Sequence, residues 1–184
     1  MQPKTDIIGN LMANKKRFYL IIGGIVVLLI AIFTLLANSG DKTPAKVAAL
    51  STRVSALGEF TRSQSAMITS GEMREQNATL TIVLTGAASD IKALKSIVGV
   101  KPDEEATAAN RTRLANLKKK LESALVTNTY DKTYKESITA ELLSLQQSVA
   151  TLGVASGATT KATLTEIYKR LETSRKAFAD VKIN

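Results

Sequence analysis

The residues of this 184-residue chain that could do chemistry are limited first by two absences: it has no histidine and no cysteine. That removes the commonest general base, the commonest metal ligand and the thiol nucleophile. Ser89-Asp90-Ile91-Lys92 spells S-x-x-K, in which a lysine can take the proton of a serine nucleophile. A single such match in a stretch rich in Ser and Lys reads as a solvated helix face. Asp103-Glu104-Glu105 gathers carboxylates, the chemistry of a cation site. Pro102 stands directly before them and no calcium-loop spacing surrounds them, so they read as the acids that favour a helix's positive amino end. The sequence contains neither a Gly-rich phosphate loop nor G-x-S-x-G. It is therefore read as a non-enzyme, with no catalytic residue, no metal and no cofactor expected.

Charge is the remaining chemistry. The chain carries a net +9. Lys4, Lys15, Lys16, Arg17 and Asp6 are the charges before Asn38, so the segment from Asn38 onward keeps +6 of it. Lys118, Lys119 and Lys120 form the densest basic run, with Arg111 and Arg113 about two turns earlier. These five residues are expected to contact an anionic surface such as lipid headgroups or an envelope polymer. No aromatic residues interleave with them for base stacking, and nucleic acid is not an expected partner. Asn77 and Asn110 open N-x-T glycosylation patterns, yet both fall in helical sequence and read as chance. Tyr130 and Tyr134 lie one turn apart at a helix start, where amphipathic rings cover a core edge.

The elements that must position these residues begin with an uncharged run of 20 residues, 18–37. As a helix it would be about 30 Å long, the thickness of a bilayer's hydrocarbon core. It exceeds the apolar region of a cleaved signal, and Leu35 spoils a small-x-small site ending at Ala37. Residues 18–37 are expected to be a retained transmembrane helix, behind a cytoplasmic tail of residues 1–17. Lys15, Lys16 and Arg17 are the topology determinants that hold this tail inside, which puts the rest of the chain outside the membrane. A polar linker at 38–44 then leads into a helical bundle at 45–184.

Five apolar stripes at helical spacing predict that bundle. They are Val47, Leu50, Val54 and Leu57; Leu80, Leu84, Ala87, Ile91, Leu94 and Val98; Leu114, Leu117, Leu121 and Leu125; Tyr134, Ile138, Leu142, Leu145, Val149 and Leu152; and Leu164, Ile167, Leu171, Ser174, Phe178 and Val181. The segment ATLTIVLTG, 78–86, alternates like a strand, but the second stripe runs through it and helix is expected there. Gly71 separates the first two stripes, and Asn128 and Thr129 offer caps between the third and fourth. Thr163-Leu164-Thr165-Glu166 fits a capping box, placing the start of the fifth helix as late as Thr163.

The expected fold is thus all-α, an amino-terminal transmembrane helix followed by an antiparallel bundle of about five amphipathic helices. Short links and an odd helix count put Asn184 at the membrane-distal end with the links near Gly71 and 127–131. The links at 99–105 and 153–160 fall near the lipid. The expected function is an interaction or scaffolding module of the cell envelope, bound to the bilayer through its first helix. Its partner would be another envelope protein or an anionic envelope polymer. The alternative is an accessory ligand-binding or sensory domain that signals to another membrane protein, for which a pocket between helices is the distinguishing feature.

Overall fold

The computed structural model describes residues 43–98 and 104–183. The apolar run 18–37 and the basic cluster Lys15, Lys16 and Arg17 lie outside the described residues. Among those described, no helix is long and apolar enough to cross a membrane.

The described residues form an all-helical bundle: α1 (Thr43–Gln64), α2 (Gly71–Val98), α3 (Glu104–Val126), α4 (Tyr130–Val154) and α5 (Ala158–Asp180). A short 3-10 turn, Ser65–Met67, follows α1. No strand occurs among the described residues. The strand-like segment 78–86 is helix throughout. Its β-branched hydroxyls are satisfied within the helix, Thr81 donating to the carbonyl of Asn77 at 2.8 Å and Thr85 to that of Thr81 at 2.8 Å.

Cross-helix contacts give the direction of each helix. Thr61 meets Asn77 and Thr81 while Gly58 meets Leu84, so α2 returns antiparallel to α1. Arg113 meets Glu141 and Lys120 meets Ser137, so α4 runs antiparallel to α3. Gly153 lies against Leu164 and Gln146 against Arg175, so α5 turns back on α4. α1 packs on α2, α3 and α4, while α5 seats on α4 and α2. One end of the bundle holds Thr69 and Ser70, the α3–α4 link and Val181: Asp131 bonds to Thr69 and Ser70, and Lys135 donates to the carbonyl of Val181 at 2.7 Å.

The apolar stripes meet in one core. Leu57, Leu84, Ile91, Leu121, Ile138, Leu142, Leu145, Ile167, Leu171 and Phe178 are buried, as are Leu94, Leu117 and Val149. Each such side chain contributes about 1.5–3 kcal/mol through burial. Gly58 allows close approach of α1 to α2, since a Cβ there would stand 3.4 Å from that of Leu84.

Two expectations need correction. The third stripe does not continue to Leu125, which is 45 % exposed; the buried seam runs Asn110, Leu117, Leu121 and Ala124. α3 packs on α1 and α4. Two successive steps of four from Leu117 carry Leu125 about 80° round the helix, whereas a step of four followed by one of three brings Ala124 back to within about 20° of Leu117. α5 begins at Ala158, not Thr163. Thr163 and Thr165 spend their hydroxyls on the carbonyls of Thr159 and Lys161, inside an existing helix, and the Lys161 N–H already bonds to the Gly157 carbonyl at 2.9 Å.

The turns show their own logic. Ser70 caps α2 by accepting from the Met73 N–H at 3.3 Å. Asn128 has φ 54° and ends α3, with its own N–H bonded to the Leu125 carbonyl and the Thr129 N–H to that of Ala124. This is a Schellman closure, in which asparagine tolerates the left-handed backbone. Thr129 stands at the α4 N-cap position, and its side chain makes no capping bond.

Truncating Leu142 or Leu171 to alanine should lower unfolding free energy by about 2–5 kcal/mol in urea melts, whereas the same change at exposed Lys119 should stay within about 0.5 kcal/mol. Tyrosine titration offers a second check. Burial and then the Asp131 charge push the Tyr130 phenol up to about 12 from 10.0. Burial and then Tyr130 raise Tyr134 as well. The folded state therefore keeps these phenols neutral after unfolded chains ionise. The Tyr130 contribution is complete below pH 10.0 and falls as pH rises through about 12. Urea midpoints measured across that alkaline window should drop, and Tyr130→Phe should make the drop shallower.

Candidate functional site

Three described charged groups come together where α1, α3 and α4 meet. Arg53 sits beside the α1 seam residue Val54, so its stem follows the core edge and its guanidinium crosses to α4. There it donates to the Ser148 hydroxyl at 3.2 Å and the Ser144 carbonyl at 3.5 Å, and faces a Glu141 carboxylate oxygen at 3.4 Å. Arg113 reaches the same Glu141 oxygen from α3 and also donates to the Asn110 side-chain oxygen at 3.2 Å. Asn110 in turn donates to the Ala106 carbonyl at 2.9 Å, which holds its oxygen toward Arg113.

Two guanidinium groups thus share one carboxylate, leaving a charge of +1 on the triad. All three side chains are largely withdrawn from water, with exposures between 16 and 26 %. The Nε atoms of Arg53 and Arg113 are buried without a hydrogen-bond partner. Burial lowers the Arg113 guanidinium from its ordinary value; Glu141 opposes that, and the neighbouring charge of Arg53 lowers it again. An arginine nevertheless remains cationic at neutral pH.

A cleft of about 480 Å³ opens beside the triad. Arg53, Lys46, Asn110, Gln147 and Ser148 supply its polar groups, and Leu50 and Leu152 contribute apolar wall. No acidic residue belongs to its described lining. Lys46 makes no ion pair among the described residues. The arrangement can hold a negatively charged group with an organic body attached.

The five basic residues expected to form an anionic-surface contact are divided between flanks of α3. Arg113 and Lys120 turn toward α4, Lys120 donating to the Ser137 hydroxyl at 3.1 Å. Arg111 lines a hollow of about 600 Å³ between α1 and α3, and Lys118 a second of about 420 Å³ further along the same groove. Lys118 also stands 3.9 Å from Glu122, and Lys119 is exposed. Ser89 and Lys92 are exposed on α2. Glu104 begins α3, while Asp103 lies outside the described residues. No group of three or more His, Cys, Asp or Glu able to hold a metal ion occurs among those described. Asn77 and Asn110 are buried in helices, a setting that denies access to a glycosylating enzyme. Tyr130 and Tyr134 are buried and stacked, ring centroids 5.9 Å apart.

Sequence reading did not single out Lys46, Arg53 or Glu141. Arg53 and Glu141 are separated by 88 positions, and no local pattern announces a pairing across that distance. The available signal was weak: a charged residue directly flanking each stripe, beside Val54 and beside Leu142.

Glu141→Gln should expose the like charge of the two arginines to each other. A loss of about 1–3 kcal/mol in unfolding free energy is expected, because a partly buried charge network loses its only anion. Adding Arg113→Met should recover part of that loss in a double-mutant cycle.

Compared with known proteins, the chain matches no family model, no curated protein and no solved structure. The reading of this cleft rests on its own geometry.

Proposed function

We propose that this chain is a membrane-anchored interaction module of the cell envelope, holding its helical bundle outside the cytoplasm. The observation that carries the proposal is the pairing of a 20-residue uncharged run, 18–37, with Lys15, Lys16 and Arg17 immediately before it. The helical bundle supports it as the part offered to a partner. Its long helices present wide exposed faces, including Ile82 on α2 and Leu125 and Val126 at the end of α3. The partner would be a second envelope protein or an anionic polymer, not nucleic acid, and the chain performs no catalysis.

The cleft beside Arg53 favours a second reading, an accessory ligand-binding or sensory domain. It has the mixed lining such a site needs: an apolar wall with a few polar and cationic groups converging on one space.

In cells, a reporter fused after Asn184 should read as extracytoplasmic, and neutral replacements of Lys15, Lys16 and Arg17 should weaken that orientation. Membrane-isolated protein should keep residues 1–37 and need detergent for release. Chemical crosslinking in intact membranes should recover the same partner repeatedly. A cytoplasmic carboxyl terminus, or a soluble chain beginning near Asn38, would overturn the anchored reading.

A further inference from the structure

The cleft where α1, α3 and α4 meet has chemistry more specific than general basicity. Its described lining contains two cations of different geometry and no acid. Arg53 offers a planar fork suited to bidentate contact, and Lys46 a point charge on a flexible stem. They are seven residues apart on α1, which puts them two turns apart on one face of the helix. The exposed amide of Gln147 stands on the α4 side.

Arg53 is held to α4 by contacts at the long end of the hydrogen-bond range. Arg113 pairs with the Glu141 carboxylate, while Arg53 divides itself among Ser148, Glu141 and Ser144 with contacts of 3.2, 3.4 and 3.5 Å. Long contacts of this kind are weak and easily exchanged for better ones. Triad and Lys46 together carry +2, and the like charge of Arg53 acts on Arg113 across Glu141. An anion in the cleft would relieve that excess. A carboxylate ligand would bring only two oxygens to a place where Glu141 already supplies that chemistry. A tetrahedral oxyanion brings more acceptors, enough for the Arg53 fork, Lys46 and Gln147 at once. Leu50 and Leu152 leave apolar wall for whatever the phosphate is esterified to.

We propose that the α1–α3–α4 cleft is a phosphate-ester binding site, with Arg53 and Lys46 as the binding cations and Gln147 as a neutral donor. This rests on the ligand-binding reading above and gives that reading a chemical class. The same chemistry is presented by a soluble phosphomonoester and by the headgroup of an anionic phospholipid, and the experiment separates these sources.

The test uses the full chain in dodecyl maltoside, a detergent without phosphate, and follows the Nε–Hε NMR signals of its arginines. Inorganic phosphate or glycerol 3-phosphate should shift the Arg53 and Arg113 signals saturably, while chloride at equal ionic strength should not. Arg53→Gln and Lys46→Gln should each weaken binding by about tenfold or more, read in the first variant on the remaining Arg113 signal. Lys46 makes no ion pair among the described residues, so Lys46→Gln provides the folded control if Arg53→Gln misfolds. Saturation by the soluble phosphates supports a soluble ligand. Signals that shift only when phosphatidylglycerol is added to the micelles support the lipid source. Acetate saturating the same signals where phosphate does not would overturn the phosphate assignment and leave the ligand-binding reading standing. Undiminished binding in both variants would overturn the residue assignment. Silence toward phosphate, phosphatidylglycerol and acetate alike would remove the site and count against the reading on which it rests.

Discussion

The register of the bundle depends on a polar contact buried inside it. Asn77 is 1 % exposed, and its amide donates to the Thr61 carbonyl at 3.0 Å while its oxygen accepts the Tyr134 hydroxyl at 2.5 Å. α1, α2 and α4 are thereby held at one level. Leucine against leucine tolerates a slide of one helical turn with modest loss; a buried amide does not. A shifted α4 would leave the Asn77 oxygen without a donor, at a cost of about 1–3 kcal/mol. The Tyr134 ring then carries the constraint onward, stacking on Tyr130 and tilting against Phe178 of α5 at 6.2 Å.

A second polar clasp works at the end of the same axis. The Asp131 carboxylate accepts the N–H groups of Thr69 and Ser70 at 3.1 and 2.7 Å, and the Thr69 hydroxyl at 2.7 Å. It thus satisfies backbone donors that precede α2, while Ser70 caps that helix with its own hydroxyl. Tyr130 adds a bond to the Gln64 side chain at 2.9 Å. This contact gives the polar Gln64 side chain, at the end of α1, a partner on α4. Strongly specified packing thus gathers along the axis from Thr61 to Tyr134 and at the end holding Asp131.

The other charged cluster has a different character. Arg53, Glu141 and Arg113 are partly buried and unequal in number, with two donors unpaired. A network built for stability alone would gain more from apolar residues of similar volume. Retaining excess positive charge beside a cleft with no acid in its described lining fits a site that receives an anion better than it fits a structural tie. Arg170 and Asp90 make the comparison within this chain: a one-to-one pair between α5 and α2, more exposed, with balanced charge.

Sequence alone determined the secondary structure class and nearly all of the core, because both depend on short-range periodicity. A stripe repeating every three or four residues specifies a helix and the face it buries, and Leu57, Leu84, Ile138, Leu142 and Leu171 lie where that rule puts them. The rule failed where burial depends on neighbours: Leu125 keeps the period but stands beyond the contact face of α3, and Thr163 reads as a cap inside an existing helix. Half-polar residues were the least legible. Asn77 reads as a chance glycosylation pattern, yet it finds the Tyr134 hydroxyl 57 residues away. Tertiary structure alone decided that pairing, and the candidate site with it. Arg53 and Glu141 carry no local signal, since complementary charge across helices exists only after the apolar faces have met and set which flanks stand opposite each other.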